Sequence, residues 1–137
     1  MMPLISSSVC EGGLSSDRKK LEALGELTQA PAMEQAEGFD STKNLKAIYF
    51  EGLSYQGKPT KVFAWLGMPT GKAGKAGKAD KAGKVPAMVL VHGGGGTAFK
   101  EWVARWNARG YAAISIAVEG QTDKRSEDGE SWEKHEW

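Results

Sequence analysis

His92 and the four glycines 93–96 close an apolar run, VLV, and lead at once into TAFKEW. Glycine loses more conformational freedom on folding than any other residue, so four in succession need a reason. Backbone N–H groups with no side chain between them and a ligand can meet negative charge. That charge is either a permanent anion or one that develops during a reaction. The chemistry on offer is therefore oxyanion or phosphate recognition. A structural reading stands beside it, in which glycine lets a helix lie close on a sheet, although one glycine is enough for that.

Phosphate loops make specific demands. A Walker A loop needs G-x-x-x-x-G-K-[ST], and no Gly-Lys pair follows these glycines. A dinucleotide fingerprint can be laid on Gly93, Gly95 and Ala98, with Glu119 about 20 residues on as the acid for a ribose hydroxyl. Against it, a hairpin precedes the unit, and a histidine directly before the glycines is no feature of such loops. The small dinucleotide-binding module remains the alternative to an oxyanion loop.

The elements that must position this stretch follow from periodicity. Residues 46–53, KAIYFEGL, and 60–69, TKVFAWLGMP, are rich in β-branched and aromatic residues. The turn chemistry of SYQGKP between them predicts an antiparallel hairpin. Both faces of its second strand are apolar, which predicts that both are covered. Residues 86–91 (PAMVLV) and 111–118 (YAAISIAV) read as buried parallel strands. Between them Phe99, Trp102, Val103 and Trp106 fall on one face of a helix over 97–109, with Thr97 as its N-cap and Gly110 ending it. Strand, helix, strand is a right-handed βαβ unit.

The flanks are plainer. Residues 1–45 form an amino-terminal arm, in which Ser16, Leu21, Leu24 and Leu27 suggest one short helix, with no clear period from Pro31 to Asp40. The tract 70–84 repeats Gly-Lys-Ala and has only Ala as apolar content, so it reads as a low-complexity surface loop. The tail 119–137 is polar and shows no run long enough for a further strand.

Strand, then HGGGGTAFKEWVARWNARGYAAI, resembles the oxyanion loop of the α/β-hydrolase superfamily, with WLGMP and this stretch closest to the acetylxylan esterase and dienelactone-hydrolase-like branch. The resemblance implies an α/β class chain: an incomplete α/β-hydrolase fold over 46–137, an antiparallel hairpin followed by a parallel βαβ unit. It implies a serine-type carboxylic-ester hydrolase with no cofactor and no metal, acting on small-molecule or carbohydrate esters. Gly94 and Gly95 would donate to the oxyanion, while His92, Gly93 and Gly96 support the loop.

The partners of such a loop are missing. The family's nucleophile sits on a G-x-S-x-G elbow. Ser15, Ser54 and Ser131 have the leading glycine, but Asp17, Gln56 and Glu133 stand at the closing position. Ser115 lies inside a strand, and Cys10, in SVCEG, lies on the wrong side of the glycines with no strand before it. His135 reads as a solvated tail residue, and Asp123 and Asp128 as residues at a site mouth rather than the triad's acid. The resemblance therefore implies a chain truncated before the nucleophile elbow, inactive alone, or a non-catalytic remnant, with an open sheet edge that invites self-association.

Composition narrows the partners. The 137 residues carry 18 Lys and Arg against 17 Asp and Glu, a net charge of +1, which gives no electrostatic case for nucleic acid or an anionic membrane. One cysteine excludes an internal disulfide. No apolar run reaches the ~18 residues of a membrane span, and the amino terminus lacks the pattern of a signal peptide, so a cytoplasmic protein is expected by default.

Overall fold

The computed structural model describes residues 18–19, 29–69 and 84–135. The chain divides into two compact units, Met1–Ala30 and Pro31–Trp137. In the first, Arg18 and Lys19 are helical. The rest of the expected amino-terminal helix, Cys10, Ser15, nearly all of the lysine tract and Trp137 lie outside the described residues.

The elements of the second unit run β1 (Met33–Gln35), β2 (Leu45–Glu51), β3 (Lys61–Gly67), β4 (Ala87–Val91), α1 (Lys100–Ala108), β5 (Ala112–Ile116), β6 (Gln121–Arg125) and β7 (Trp132–Lys134). The first five strands form one sheet in the order β1-β2-β3-β5-β4, and β6 and β7 form a separate two-stranded sheet. Strands β2 and β3 are antiparallel, with Ala47 opposite Trp65, and β4 and β5 are parallel, with Val89 opposite Ile114. The result is a sheet-rich α/β domain with a mixed sheet. The hairpin turns at Gln56 and Gly57, both at positive φ, the signature of the type I′ turn whose twist suits a hairpin. Both turn residues belong to the SYQGKP stretch, with Pro59 just beyond them. An extra strand, β1, pairs with β2 through three residues, too few to show a period.

One face of the sheet carries the core. Ala47, Phe63, Trp65 and Ala113 are buried there with Val103 of α1 and Ala98, and Phe39 stacks on Phe63 at 4.7 Å between ring centroids. The other face is apolar as well, but it is covered unevenly. Ile48 and Ala64 are buried, whereas Val89 and Val91 of β4 are 66% and 57% exposed. The centre of β3 is thus covered on both faces, as its apolar faces predicted, whereas the reading of 86–91 as a buried strand fails on this face of β4. An apolar strand reports what it can bury, not what lies over it.

Helix α1 begins three residues later than expected. Its N-cap is Phe99, not Thr97, because the Thr97 hydroxyl is committed elsewhere, donating to Thr122 O at 2.7 Å. The Phe99 amide donates instead to the hydroxyl of Ser115 on β5, so that strand serine ties the helix start to the sheet. Gly110, at φ 90°, ends the helix as expected, its amide donating to Asn107 O. The helix rests on Gly67, where a Cβ would strike the side chains of Asn107 and Val103.

The polar tail is not without order, which corrects the reading of 119–137. Strands β6 and β7 form an antiparallel hairpin around a turn organised by Asp128. Its carboxylate accepts from the Ser126 hydroxyl and the Glu130 amide, bonds that hold it below the usual carboxylate range, and Gly129 takes φ 70°. The Arg125 guanidinium lies 3.8 Å from the Trp132 ring. Side-chain contacts across this hairpin replace the apolar alternation that a strand usually displays. The hairpin is tied to the sheet by Trp65 Nε1, which donates to Asp123 Oδ2 at 2.7 Å. His135 is not solvated either: its ring meets Tyr49 edge-on at 5.0 Å and its amide donates to Gly120 O.

These contacts carry two expected outcomes. Gly67→Ala should lower the unfolding free energy by about 1–3 kcal/mol through overpacking, read as a lower urea midpoint at unchanged slope. Burial pushes the Asp123 carboxyl above its ordinary value, against the opposing pull of the Trp65 bond and Lys100. The folded state thus holds this proton more tightly than the unfolded chain. Its contribution to stability is lost as pH rises from the unfolded value through the folded one. Asp123→Asn keeps an oxygen for Trp65. Urea midpoints should therefore show the variant gaining on the wild type as pH rises from about 3 to about 7, through the ordinary Asp value of about 3.9 and the raised one above it.

Candidate functional site

The four glycines are not equivalent. Residues 93–96 form a tight turn closed by the Gly96 amide donating to Gly93 O at 3.0 Å, with Gly95 at φ 72° in its third position, as a type II turn requires. At Gly96 the constraint is space, since a Cβ would come within 2.9 Å of the His92 Cβ and Nδ1. At Gly93 and Gly94 neither reason applies. Neither has a positive φ, and an added Cβ would meet nothing within 4 Å. Two of the four glycines are thus explained by the fold and two are not.

The turn is held by its carbonyls. Gly93 O accepts from His92 Nδ1 at 2.7 Å, Gly95 O from Trp132 Nε1 at 3.0 Å, and Gly96 O from Gln121 Nε2 at 2.7 Å. His92 is buried, and its Nε2 accepts from the Val118 amide at 3.1 Å, which assigns the neutral tautomer with the proton on Nδ1. Gln121 Nε2 also lies 3.3 Å from His92 Nε2, while Gln121 Oε1 accepts from the Glu119 amide at 2.8 Å. Among the described residues the amides of Gly94 and Gly95 find no protein acceptor, and both glycines are exposed. With three of its four oxygens tied to the protein, the turn presents the Gly94 and Gly95 N–H groups to solvent. That is a donor surface for negative charge.

A cleft of about 220 Å³ adjoins it, lined by Gly95, Glu119, Gln121, Glu130, Ser131, Trp132 and Lys134. Glu119 and Gly95 therefore meet as the dinucleotide reading requires, but the helix does not. In that motif the loop opens directly into the helix, whereas here Thr97 and Ala98 are buried and extended Phe99 precedes Lys100. The helix dipole falls off within its first turn, and the glycine amides lie outside that turn. Two carboxylates on the cleft, against the single cation of Lys134, also disfavour a phosphate.

The other candidates are scattered or occupied. Ser115 is fully buried under the Phe99 amide, Ser131 is bound to Ser126, Asp128 organises a turn, and Asp123 is held by Trp65. Ser54 lies in the β2–β3 connection. Among the described residues no group of three or more His, Cys, Asp or Glu could hold a metal ion, and no helix is long and apolar enough to cross a membrane. Gln121 and Trp132, which sequence reasoning passed over, are the residues that clamp the turn. One signal was available: a lone indole a few residues after Ser-Glu-Asp-Gly, a turn signature flanked by residues that could pair.

No family model matches this chain, and no curated protein matches it. Among solved structures, an acetyl xylan esterase from Paenibacillus sp. R4 is similar to 91% of this chain at 20% identity, with a TM-score of 0.48. The chain spans 40% of that protein's length.

Proposed function

We propose that the glycine turn is the oxyanion-binding half of a carboxylic-ester hydrolase centre of the α/β-hydrolase type. Gly94 and Gly95 donate to the carbonyl oxygen of a small-molecule or carbohydrate ester as it becomes negative. Gly93 and Gly96 shape the turn and His92 supports it. The supporting observation is the pair of glycines, 93 and 94, that the fold does not require, beside the carbonyls of Gly93, Gly95 and Gly96, which are bound within the protein. A side chain there would leave the turn intact and crowd whatever approaches it. The sheet supports the same reading, since an antiparallel hairpin leads into a parallel pair. An attacking serine on an elbow is not found in this sequence, so the nucleophile in this reading is supplied from outside the chain, and the chain alone hydrolyses esters little or not at all.

Binding and folding can be measured apart. In ¹⁵N-labelled protein titrated with an alkylphosphonate, an analogue of the tetrahedral oxyanion, the Gly94 and Gly95 amides should shift and saturate. Gly94→Ala should weaken that response while leaving stability unchanged or raised by about 0.4–1 kcal/mol, because the unfolded chain loses freedom. Gly95→Ala should instead destabilise by about 1–2 kcal/mol, the penalty of a left-handed residue with a Cβ. Unmoved glycine amides would overturn the reading. So would turnover of p-nitrophenyl acetate that is lost on Gly95→Val and kept on Cys10→Ala, since a nucleophile would then reside in this chain. Calorimetric binding of NAD that disappears on Glu119→Ala would replace it with the dinucleotide module.

A further inference from the structure

The cleft beside the glycine turn has more polar side chains than free polar groups. Gln121 is engaged at both ends, its nitrogen with Gly96 O and its oxygen with the Glu119 amide. Trp132 gives its N–H to Gly95 O, and the Ser131 hydroxyl is bound to that of Ser126. What remains uncommitted on the wall is charge: the carboxylates of Glu119 and Glu130 and the ammonium of Lys134. All three residues are exposed, and among the described residues none of these side chains has an ion-pair or hydrogen-bond partner. The backbone still holds both carboxylates in place, since the Glu119 amide donates to Gln121 Oε1 and the Glu130 amide to Asp128 Oδ1.

That wall conflicts with the turn it adjoins. If the Gly94 and Gly95 amides stabilise a carbonyl oxygen as it gains charge, two carboxylates nearby repel the same charge. Lys134 can offset one of them and leaves the other. Arg125 does not relieve the imbalance, because it is stacked on the Trp132 ring and does not line the cleft. A metal ion does not meet the need either, since among the described residues no group of three or more His, Cys, Asp or Glu could hold one. We infer that the ester taken by this site carries its own cation, an ammonium group that pairs with Glu119 and Glu130 while the carbonyl oxygen faces the glycine amides. The inference rests on the oxyanion reading proposed above and adds a substrate class to it. Such a ligand sets a positive charge beside the developing oxyanion and balances the wall. A neutral ester leaves the carboxylates opposed to the reaction, and an anionic ester adds to the repulsion.

Titrations followed at the Gly94 and Gly95 amides of the ¹⁵N-labelled chain test this. 2-Aminoethylphosphonate carries the ammonium on the acyl side and 2-aminoethyl methylphosphonate carries it on the alcohol side. Propylphosphonate and propyl methylphosphonate are their counterparts without it. At low salt at least one ammonium probe should bind about threefold to tenfold tighter than its counterpart, as one or two exposed ion pairs allow, and sodium chloride should shrink the margin. Glu119→Gln combined with Glu130→Gln should erase the margin from both sides, weakening the ammonium probe and tightening the propyl one, with the circular dichroism melt retained. Lys134→Gln should widen it, which keeps the test open should the double variant unfold. Equal binding of the ammonium and propyl probes, or a margin that survives the loss of both carboxylates, would overturn the inference and leave the oxyanion reading standing. Glycine amides silent to all four probes would remove that reading and this inference with it.

Discussion

A buried neutral imidazole that both accepts and donates is the constraint on which the rest of this domain's candidate chemistry depends. His92 takes the Val118 amide on one nitrogen and gives its proton to Gly93 O on the other, so it joins the ends of two parallel strands through one ring. Gln121 stands against the same nitrogen and reaches Gly96 O, completing a set in which each buried polar atom has a partner. Buried polar groups are costly when unpaired, and a fully satisfied set of this kind has one arrangement rather than several. A flexible sequence of four glycines is thereby given a defined shape without any side chain of its own. The rigidity comes from outside the loop.

That arrangement separates two roles that glycine often combines. Gly95 and Gly96 are held to glycine by the turn's φ and by the His92 ring. Gly93 and Gly94 are free of both requirements and lie open to solvent. The distinction matters because a run of identical residues looks uniform in a sequence. Only the folded chain divides it into positions the fold requires and positions left clear for something else.

The legible part of the fold is the part governed by hydrophobic periodicity. The hairpin pattern, the βαβ unit and the apolar face of the helix are written in Phe63, Trp65, Val103 and the alternating residues of β5, whose burial repeats at intervals fixed by backbone geometry. The illegible part is held by polar and cation–aromatic contacts with no period. Thr97 has the identity of a cap and spends its hydroxyl on Thr122 O. Strand β6 reads QTDKR and is more than half charged, yet it forms because Asp123 meets Trp65 and Arg125 meets Trp132. The glycine turn could be found from sequence, and the indole after Ser-Glu-Asp-Gly was a signal, but what the clamp holds could not, since Gln121 and Trp132 act through long-range bonds to backbone atoms. A backbone acceptor leaves no trace in the residue that bears it.

Those bonds all run in one direction along the chain. Val118, Gln121 and Trp132 lie 26, 25 and 37 residues beyond the groups of the turn segment that they bind. A ribosome delivers the amino-terminal part first, at about 5–20 residues per second. Gly95 and Gly96 therefore emerge with their carbonyls unsatisfied and wait a few seconds for the hairpin that closes over them. Through that interval the turn lacks its clamp, and it takes on its donor surface only after Gln121 and Trp132 have followed it. The order of synthesis puts the clamp after the loop it shapes.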